Sequence, residues 1–405
     1  MTRQRADLTF KYNLKRDRHG WLRLTPAYSI KIVQQIIEEH PELTYVLDPF
    51  SGTGTTGLVC AENNIHSDLI DINPFLVWLA GVKTANYHAE QLQKVQEGVH
   101  TICNKVANNH EIDKLWIPPI HNINRWWPKS RLIALAKIFH ELNQQFPTSS
   151  SVKDLMLVAF CNLIIYWSNA AFNHQSISFD DNANGQLVLF SEEQQILDHL
   201  TDIVHKVVAA AQKPLKGQVK VILADSRKVP RPPEKTYDCV ITSPPYPNRM
   251  SYIRELRPYM YWLGYLKDGR EAGELDWQAI GGTWGIATSR LQTWQAREKQ
   301  IQYPEFDNII TEISKQSLPL ANYVHKYFVD ISTHLSSLYP TLSPDAKVFY
   351  IVGNSRFYNI LVPVERIYEN LLLACGFTDT EVEVIRKRNS KKELYEFMVK
   401  ARKPC

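Results

Sequence analysis

A glycine-rich turn between a predicted strand and a predicted helix most limits the folds open to this 405-residue chain. Tyr45 to Leu47 is predicted to be a strand, residues 48–54 (DPFSGTG) a tight turn, and Thr55 the start of a helix. Glycines in such a turn let the backbone approach a ligand closely, because no Cβ stands in the way. Asp71 follows at about the 20-residue offset that is usual for an acid binding a ribose. The two features together predict an α/β sheet that binds an adenosine-containing cofactor.

Two consecutive prolines follow a second apolar strand. Residues 237–241 (YDCVI) have the composition of a buried strand, and Pro244 and Pro245 cannot continue it because neither offers an N–H to the ladder. The chain therefore leaves the sheet and presents the Ser243 hydroxyl, the Pro244 carbonyl and the Tyr246 ring. These groups suit a planar base, which stacks on the ring while its exocyclic amine donates to the two oxygens. A proline pair is also common in plain turns.

The segments DPFSGTGT (48–55) and TSPPY (242–246) resemble motifs I and IV of the DNA amino-methyltransferases. In that family a Ser-Pro-Pro-Tyr form is typical of enzymes that methylate the N4 amine of cytosine. An Asp- or Asn-Pro-Pro-Tyr form is typical of those that methylate N6 of adenine. The resemblance implies S-adenosylmethionine as the cofactor, flipping of the target base, and direct methyl transfer without a covalent intermediate. It assigns catalytic roles to Ser243, Pro244, Pro245 and Tyr246.

The resemblance also implies a set of cofactor-binding residues. Asp48 would face the positively charged methionine portion of the cofactor, and Ile72 would lie against its adenine. Asp225 would lie near the adenine amine, and Thr25, at the start of a helix predicted from Pro26, would help hold the methionine end. The full predicted set is Asp48, Pro49, Phe50, Gly52, Gly54, Thr55, Asp71, Ile72, Asp225 and Thr25.

The same glycines are compatible with a second class of enzyme. Positions 52, 54 and 57 fit the dinucleotide pattern G-x-G-x-x-G, which is also typical of a nicotinamide-dependent oxidoreductase. The carboxylate of Asp48 would gain nothing beside an anionic pyrophosphate, so S-adenosylmethionine is favoured. Methylation of N6-adenine or of an RNA base also stays open, as does a DNA-binding protein that keeps the fold without activity. Intact Asp48, Gly52, Ser243 and Tyr246 argue against the last.

The chain between residues 87 and 216 differs from the rest, because helical stripes of apolar residues follow one another there. We predict that residues 1–86 and 217–405 form the catalytic domain. Its Rossmann-like methyltransferase sheet is expected to be mostly parallel and to end in an antiparallel hairpin. Residues 87–216 are predicted to be a mostly helical insertion and a candidate DNA-recognition region. Trp126 and Trp127 could wedge into a duplex, but interior packing is favoured.

Charge and cysteine usage bear on partners and location. The net charge is only +4, but basic residues crowd residues 3–23, 213–235 and 386–403, where they could line a phosphate track or face solvent. We expect double-stranded DNA as the partner, with a cognate restriction endonuclease as a candidate second partner. The six cysteines include no Cys-x-x-Cys pair, so no metal site is predicted. Without a bilayer-length apolar run or a leader at Met1, a cytoplasmic location is expected.

Overall fold

The computed structural model describes residues 5–24, 27–108, 114–171, 178–179, 191–231, 235–283, 285–296, 301–388 and 393–405. The strands in these ranges are β1 (Tyr45–Asp48), β2 (His66–Asp71), β3 (Ala170–Ala171), β4 (Ser178–Phe179), β5 (Val219–Leu223), β6 (Tyr237–Thr242), β7 (Leu342–Gly353), β8 (Ser355–Phe357), β9 (Ile360–Val362), β10 (Thr378–Lys387) and β11 (Tyr395–Arg402).

The helices of the described ranges precede β1 or lie between the strands, with runs of several helices after β2 and after β6. They are α1 (Phe10–Asn13), α2 (Ile30–Glu39), α3 (Thr55–Glu62), α4 (Pro74–Thr84), α5 (Ala89–Asn108), α6 (Ile123–Trp126), α7 (Lys129–Gln145), α8 (Ser151–Tyr166), α9 (Glu192–Ala211), α10 (Tyr252–Trp262), α11 (Gly269–Gln278), α12 (Ile286–Thr293), α13 (Phe306–Ser314), α14 (Leu318–Leu338) and α15 (Val364–Ala374).

One seven-stranded sheet organises the fold, in the order β10-β11-β7-β6-β1-β2-β5. Strands β7, β6, β1, β2 and β5 pair in parallel, whereas β11 is antiparallel to both β7 and β10. The predicted fold class, a mostly parallel Rossmann-like sheet that closes with an antiparallel hairpin, is confirmed. Because the parallel strands run in one direction, the ends of β1, β2, β5 and β6 lie along the same edge.

Helices cover both faces of the sheet, which is why its central strands carry apolar side chains on both faces. Successive side chains of a strand point to opposite faces. Val46, Cys239 and Ile241 therefore pack with α2 on one face. Leu47 and Val240 pack with α14 and α15 on the other. Because helices cover both faces of the sheet, the loops converge at the edge where the parallel strands end.

Between β2 and β5, the described residues are mostly helical, and the long helices α5, α7, α8 and α9 share their core with the rest of the protein. One continuous cluster of buried side chains joins α5, α7, α8 and α9 to α4 and α10. Arg18, almost fully buried, adds a polar link between the N-terminal segment and two helix ends. Its guanidinium donates to the carbonyl oxygens of Lys83, Ala85, Ala210, Ala211 and Lys213. The division into two domains stays a prediction.

Trp126 and Trp127 lie inside this shared core. Their exposed fractions are 2% and 0%, and the Trp127 indole donates to the carbonyl oxygen of Ile164 at 2.8 Å. The prediction that they pack in the interior is confirmed, and the interpretation that they wedge into a duplex is wrong. Burial is favoured because an indole has a large apolar surface, which would otherwise be exposed to water.

The helix predicted from Pro26 begins four residues later. Helix α2 starts at Ile30, and the Ser29 hydroxyl caps it by accepting from the Lys31 N–H at 3.3 Å. Serine is a strong N-cap because its oxygen satisfies an N–H left without a partner by the first turn. Thr25 and Pro26 lie outside the described residues, so the predicted cofactor role of Thr25 stays a prediction.

None of the helices in the described ranges is both long and apolar enough to cross a bilayer. Those ranges also contain no group of three or more histidine, cysteine or acidic side chains arranged to hold a metal ion.

Lys83, near the end of α4, is fully buried, and within the described structure its ammonium nitrogen has no hydrogen-bond partner. Burial lowers the pKa of Lys83 to about 7, with only a partial offset from the charge of Glu62. Between that value and the ordinary 10.5, the unfolded chain binds a proton that the folded protein does not. The contribution of Lys83 to the free energy of unfolding therefore rises with pH across this window.

We expect Lys83→Met to remove this dependence, because a thioether of similar length fills the site without a charge to neutralise. The free energy of unfolding of Lys83→Met minus that of the wild type should be largest at pH 7 and below. It should shrink by up to about 1.4 kcal/mol per pH unit as the pH rises toward 9. Urea unfolding of both proteins at several pH values measures this difference in the free energy of unfolding. Lys94→Met, at an exposed lysine, is the control; parallel curves for Lys83→Met and the wild type would contradict the prediction.

Candidate functional site

A pocket opens at the strand-end edge of the sheet, where the turn after β1 meets the loop after β6. Its volume is about 880 Å³, open mouth included. Most of the residues predicted from the sequence converge there. Those that line it are Pro49, Phe50, Gly52, Thr55, Asp71, Ile72, Asp225, Ser243 and Pro245. Asp48, Gly54, Pro244 and Tyr246 lie next to it without lining it, and Thr25 lies outside the described residues.

The glycine turn forms the floor of the pocket. Gly52 and Gly54 have φ values of +50° and +77°, a left-handed conformation that residues with a Cβ rarely adopt. A Cβ on Gly54 would also lie 3.0 Å from the Cβ of Ala80. The turn can therefore bring backbone N–H groups to the pocket while α3 and α4 stay closely packed.

Asp71 ties the turn to the second strand. Its Oδ2 accepts from the Gly52 N–H at 2.9 Å, and its Oδ1 accepts from the Asn73 N–H at 2.8 Å. Burial raises the pKa of Asp71 to about 7, although these N–H groups favour the charged form. Each carboxylate oxygen keeps a second acceptor position, so Asp71 can still bind a hydroxyl of a ligand in the pocket.

Asp48 lies behind the pocket wall, where it holds two segments together. It is fully buried, and its two oxygens accept from the hydroxyls of Thr242 and Thr56, each at 2.6 Å. The Phe50 N–H adds a third bond at 3.1 Å. Burial raises the pKa of Asp48 to about 6, against the effect of these bonds. The structure thus places Asp48 between the glycine turn and the residue before Ser243, instead of in direct contact with the pocket.

The loop after β6 is fixed by tyrosines from other elements. Tyr327 on α14 donates to the carbonyl oxygen of Pro245 at 2.8 Å. The Tyr252 hydroxyl accepts from the Tyr246 N–H at 3.3 Å. Side chains thus replace the ladder that the prolines interrupt, as buried backbone groups require.

Tyr246 is held at its hydroxyl by the C-terminal hairpin. Its O–H donates to Oε1 of Glu396 on β11 at 2.9 Å, and the Arg388 guanidinium lies over its ring at 5.0 Å from the centroid. Burial, together with the charge of Glu396, raises the pKa of Tyr246 well above its ordinary value. The phenol therefore keeps its proton at neutral pH. The hairpin is thus part of the site, a role that its sequence does not signal.

Asp225, after β5, is part of the pocket wall, and its charge is compensated. Arg227 reaches both of its oxygens at 2.8–3.0 Å and extends to Asp330 on α14 at 3.1 Å. Despite desolvation, these contacts lower the pKa of Asp225 below its ordinary value. Asp225 is therefore an anion at neutral pH, held in place by an arginine.

Sequence reasoning missed part of the wall. Some of the missed residues, such as Ala279 and Ile280, lie far from the motifs in sequence, so only the tertiary fold brings them here. The missed apolar residues are Leu24, Ala27, Leu76, Ile253, Ala279 and Ile280, and the other missed residues are Tyr28, Ser51, Thr53, Asn73, Ser226, Tyr252 and Gln278. The described lining contains the carboxylates of Asp71 and Asp225 and no lysine, arginine or histidine. The pocket therefore favours a neutral or cationic ligand with an apolar planar part.

We expect Thr242→Val to destabilise the protein, because it removes the shorter of the two hydrogen bonds to Oδ1 of the buried Asp48 carboxylate and leaves that oxygen with the Phe50 N–H at 3.1 Å. The free energy of unfolding should fall by about 1–3 kcal/mol. The fall should be larger at pH 8, where Asp48 is ionised, than at pH 5. Urea unfolding measures both values. Thr341→Val is the matched control, since it removes a buried hydroxyl that donates only to the Leu338 carbonyl; equal losses without a pH effect would refute the prediction.

No known protein-family model matches the chain. The Type II methyltransferase M.AvaI of Nostoc sp. (strain PCC 7120) is 21% identical over 419 residues, covering 96% of this chain and 86% of that protein. M.BsoBI of Geobacillus stearothermophilus is 22% identical, covering 96% and 84%. M.MvaI of Kocuria varians is 20% identical, covering 84% and 76%.

Among solved structures, the rRNA methyltransferase aviRa from Streptomyces viridochromogenes covers 93% of this chain and is itself covered over 86%. The sequence identity is 11% and the TM-score 0.26. The three relatives found by sequence are the more informative: over nearly its whole length, this chain is similar to Type II methyltransferases.

Proposed function

We propose that the protein transfers a methyl group from S-adenosylmethionine to the exocyclic N4 amine of cytosine in duplex DNA. One observation carries the proposal: Ser243 and Pro245 of the proline-pair loop line the same pocket as Gly52, Asp71 and Ile72. The residues predicted to bind the nucleoside and those predicted to bind the amine thus line one cavity. The similarity to Type II methyltransferases supports a methyltransferase that acts on DNA.

The pocket residues fit S-adenosylmethionine. Ile72, Leu76 and Ile253 offer apolar surface for an adenine, and Asp71 offers acceptor positions for the ribose hydroxyls. When bound, the cofactor supplies a methyl group on a positively charged sulfur. Asp71 lines the pocket without a basic side chain among the described lining residues, and its ionised form would stabilise such a charge. Asp48 adds to this negative potential from behind the wall, at a site where burial limits screening by water.

The same wall argues against a nicotinamide-dependent enzyme. A dinucleotide pyrophosphate carries two negative charges, which a site must offset with N–H groups or cations. Here both Asp71 and Asp225 would face that group, and Gly52 already donates its N–H to Asp71. The electrostatics therefore favour the sulfonium nucleoside.

Ser243 would act on the amine by accepting a hydrogen bond from it. The N4 amine of cytosine is conjugated with its ring and is a poor nucleophile while it stays planar. An oxygen fixed at the pocket wall can hold the amine out of the ring plane and stabilise positive charge as it develops. The target base has to leave the helix stack to reach this wall, so the mechanism requires base flipping.

The loop that carries these groups also offers a contact to DNA. Arg249, three residues after Tyr246, is exposed and has a φ of +63°, which is uncommon for a residue with a Cβ. Its N–H donates to the Tyr323 hydroxyl at 3.2 Å, which holds the conformation. Backbone strain of this kind persists where neighbouring contacts fix it and is often found at functional sites. We propose that Arg249 binds a phosphate beside the flipped base.

We expect isothermal calorimetry to show binding of S-adenosylmethionine and none of NAD. Asp71→Asn should weaken binding of S-adenosylmethionine about 10- to 100-fold, because an amide replaces one of the two acceptor oxygens. Asp198→Asn, on the helical segment and outside the pocket wall, is the matched control and should bind like the wild type. Tighter binding of NAD than of S-adenosylmethionine would overturn the cofactor assignment.

The methylated product tests the reaction itself. DNA is incubated with methyl-labelled S-adenosylmethionine and digested, and its nucleosides are separated by mass spectrometry. We expect N4-methylcytosine, and a loss of at least about 100-fold in rate for Ser243→Ala. Ser343→Ala is the control, because Ser343 donates to the Tyr237 carbonyl outside the pocket. N6-methyladenine, or label in RNA instead of DNA, would show that cytosine N4 is not the target.

A further inference from the structure

A chain of hydrogen bonds leads from Ser243 through Tyr246 to the C-terminal hairpin. The Ser243 hydroxyl lies 3.4 Å from the Tyr246 hydroxyl, which lies 2.9 Å from Oε1 of Glu396. Glu396 is almost fully buried, and Arg386 on the neighbouring strand binds both of its oxygens, at 2.7 and 3.2 Å. Water therefore has little access to the Glu396 carboxylate, which is the last group of this hydrogen-bond chain.

The chemistry of Glu396 determines which group donates and which accepts in each hydrogen bond from Ser243 to Glu396. A carboxylate paired with a guanidinium accepts hydrogen bonds and offers none. Tyr246 must therefore donate its proton to Glu396, and the tyrosine oxygen is left with lone pairs on the side of Ser243. The Ser243 hydroxyl then donates to that oxygen. The 3.4 Å separation is long for such a bond, and catalytic hydrogen bonds commonly shorten when substrate binds.

This direction has a consequence for the pocket. A serine hydroxyl is ordinarily both a donor and an acceptor. Once its proton points to Tyr246, the part of Ser243 that lines the pocket presents lone pairs alone. An amine on the target ring can donate to them, whereas an oxo group at the same ring position would place its own lone pairs against them.

We propose that Glu396 is a specificity-determining positioning residue, which acts through Tyr246 to make Ser243 an acceptor only, so that the site takes an amino base and rejects its oxo analogue. For the reaction proposed above, this separates cytosine from uracil. The inference rests on that proposed function, because it needs a base at Ser243. A site that leaves a buried polar group unpaired against the wrong ligand discriminates strongly.

The packing around Tyr246 helps to hold its side chain in the position that bonds to Glu396. A Cβ on Gly353, which pairs with Glu396 across β7 and β11, would lie 2.9 Å from the Tyr246 ring and 2.2 Å from the Arg388 guanidinium. The ring thus lies close against the strand backbone on one side. With its hydroxyl bound and its ring enclosed, Tyr246 cannot turn its O–H toward Ser243 without losing the bond to Glu396.

The test measures binding of DNA without turnover. Two duplexes carry deoxycytidine or deoxyuridine at the mapped target position, each opposite an abasic site so that neither base has to be unpaired. Dissociation constants are measured in the presence of S-adenosylhomocysteine. The wild type should prefer deoxycytidine. In Glu396→Gln the preference should fall by on the order of tenfold, because an amide can donate to Tyr246 and reverse the chain.

Tyr246→Phe gives a second reading, since it removes the acceptor for the Ser243 proton and should lower the preference in the same way. Glu383→Gln is the matched control, because this carboxylate lies on β10 of the same hairpin, is half exposed and pairs with Lys400 at 2.9 Å. Thermal unfolding and calorimetry with S-adenosylhomocysteine establish that each variant folds and binds the nucleoside. An unchanged preference in folded Glu396→Gln and Tyr246→Phe overturns the inference.

The two proposals fail in different ways. If the wild type methylates no base in DNA, the proposed function is lost before the binding experiment begins. If the wild type produces N4-methylcytosine and the variants keep the full preference for deoxycytidine, only the role of Glu396 is lost.

Discussion

The buried carboxylate of Asp48 is the interaction on which the rest of the site depends. It sits at the end of β1 and holds the hydroxyls of Thr56 on α3 and Thr242 on β6, each at 2.6 Å. The next residue after Thr242 is Ser243, so the position of the proposed amine-binding hydroxyl follows from the position of the glycine turn. A bond to an ionised group in a dry interior is stronger than a neutral one. The two halves of the site are therefore fixed to each other before any ligand binds.

The same geometry explains how one edge of the sheet can serve two ligands. Parallel strands bring the ends of β1, β2 and β6 together, and the proline pair prevents β6 from continuing past this edge. The wall of the pocket is mostly apolar and includes the acidic side chains of Asp71 and Asp225. The proposed cationic methyl donor would be stabilised there, while the hydroxyl of Ser243 would remain available to the proposed target base. Pre-organised groups of this kind avoid the cost of reorientation during the reaction.

The features that could be predicted from the sequence are those that depend on local sequence patterns. The turn at Gly52 and Gly54, the strand before Pro244 and the hairpin of β10 and β11 are each set by neighbours in the chain, so the fold class could be predicted. Long-range contacts could not. Ile253 and Ile280 reach the pocket only through the packing of α10 and α11, and Glu396 lies 150 residues from Tyr246. Nor does a motif show that Asp48 faces Thr242 instead of the pocket, because that depends on the pairing of β1 with β6.

The central claim is that a sulfonium nucleoside and a base amine meet between the glycine turn and Ser243. A crystal structure with S-adenosylhomocysteine tests it most directly, since it shows the ligand's orientation as well as its presence. The account predicts the adenine against Ile72, a ribose hydroxyl bound to Asp71, and the sulfur on the side of the pocket that Ser243 lines. A nucleoside bound elsewhere, or one whose sulfur points away from Ser243, would contradict it.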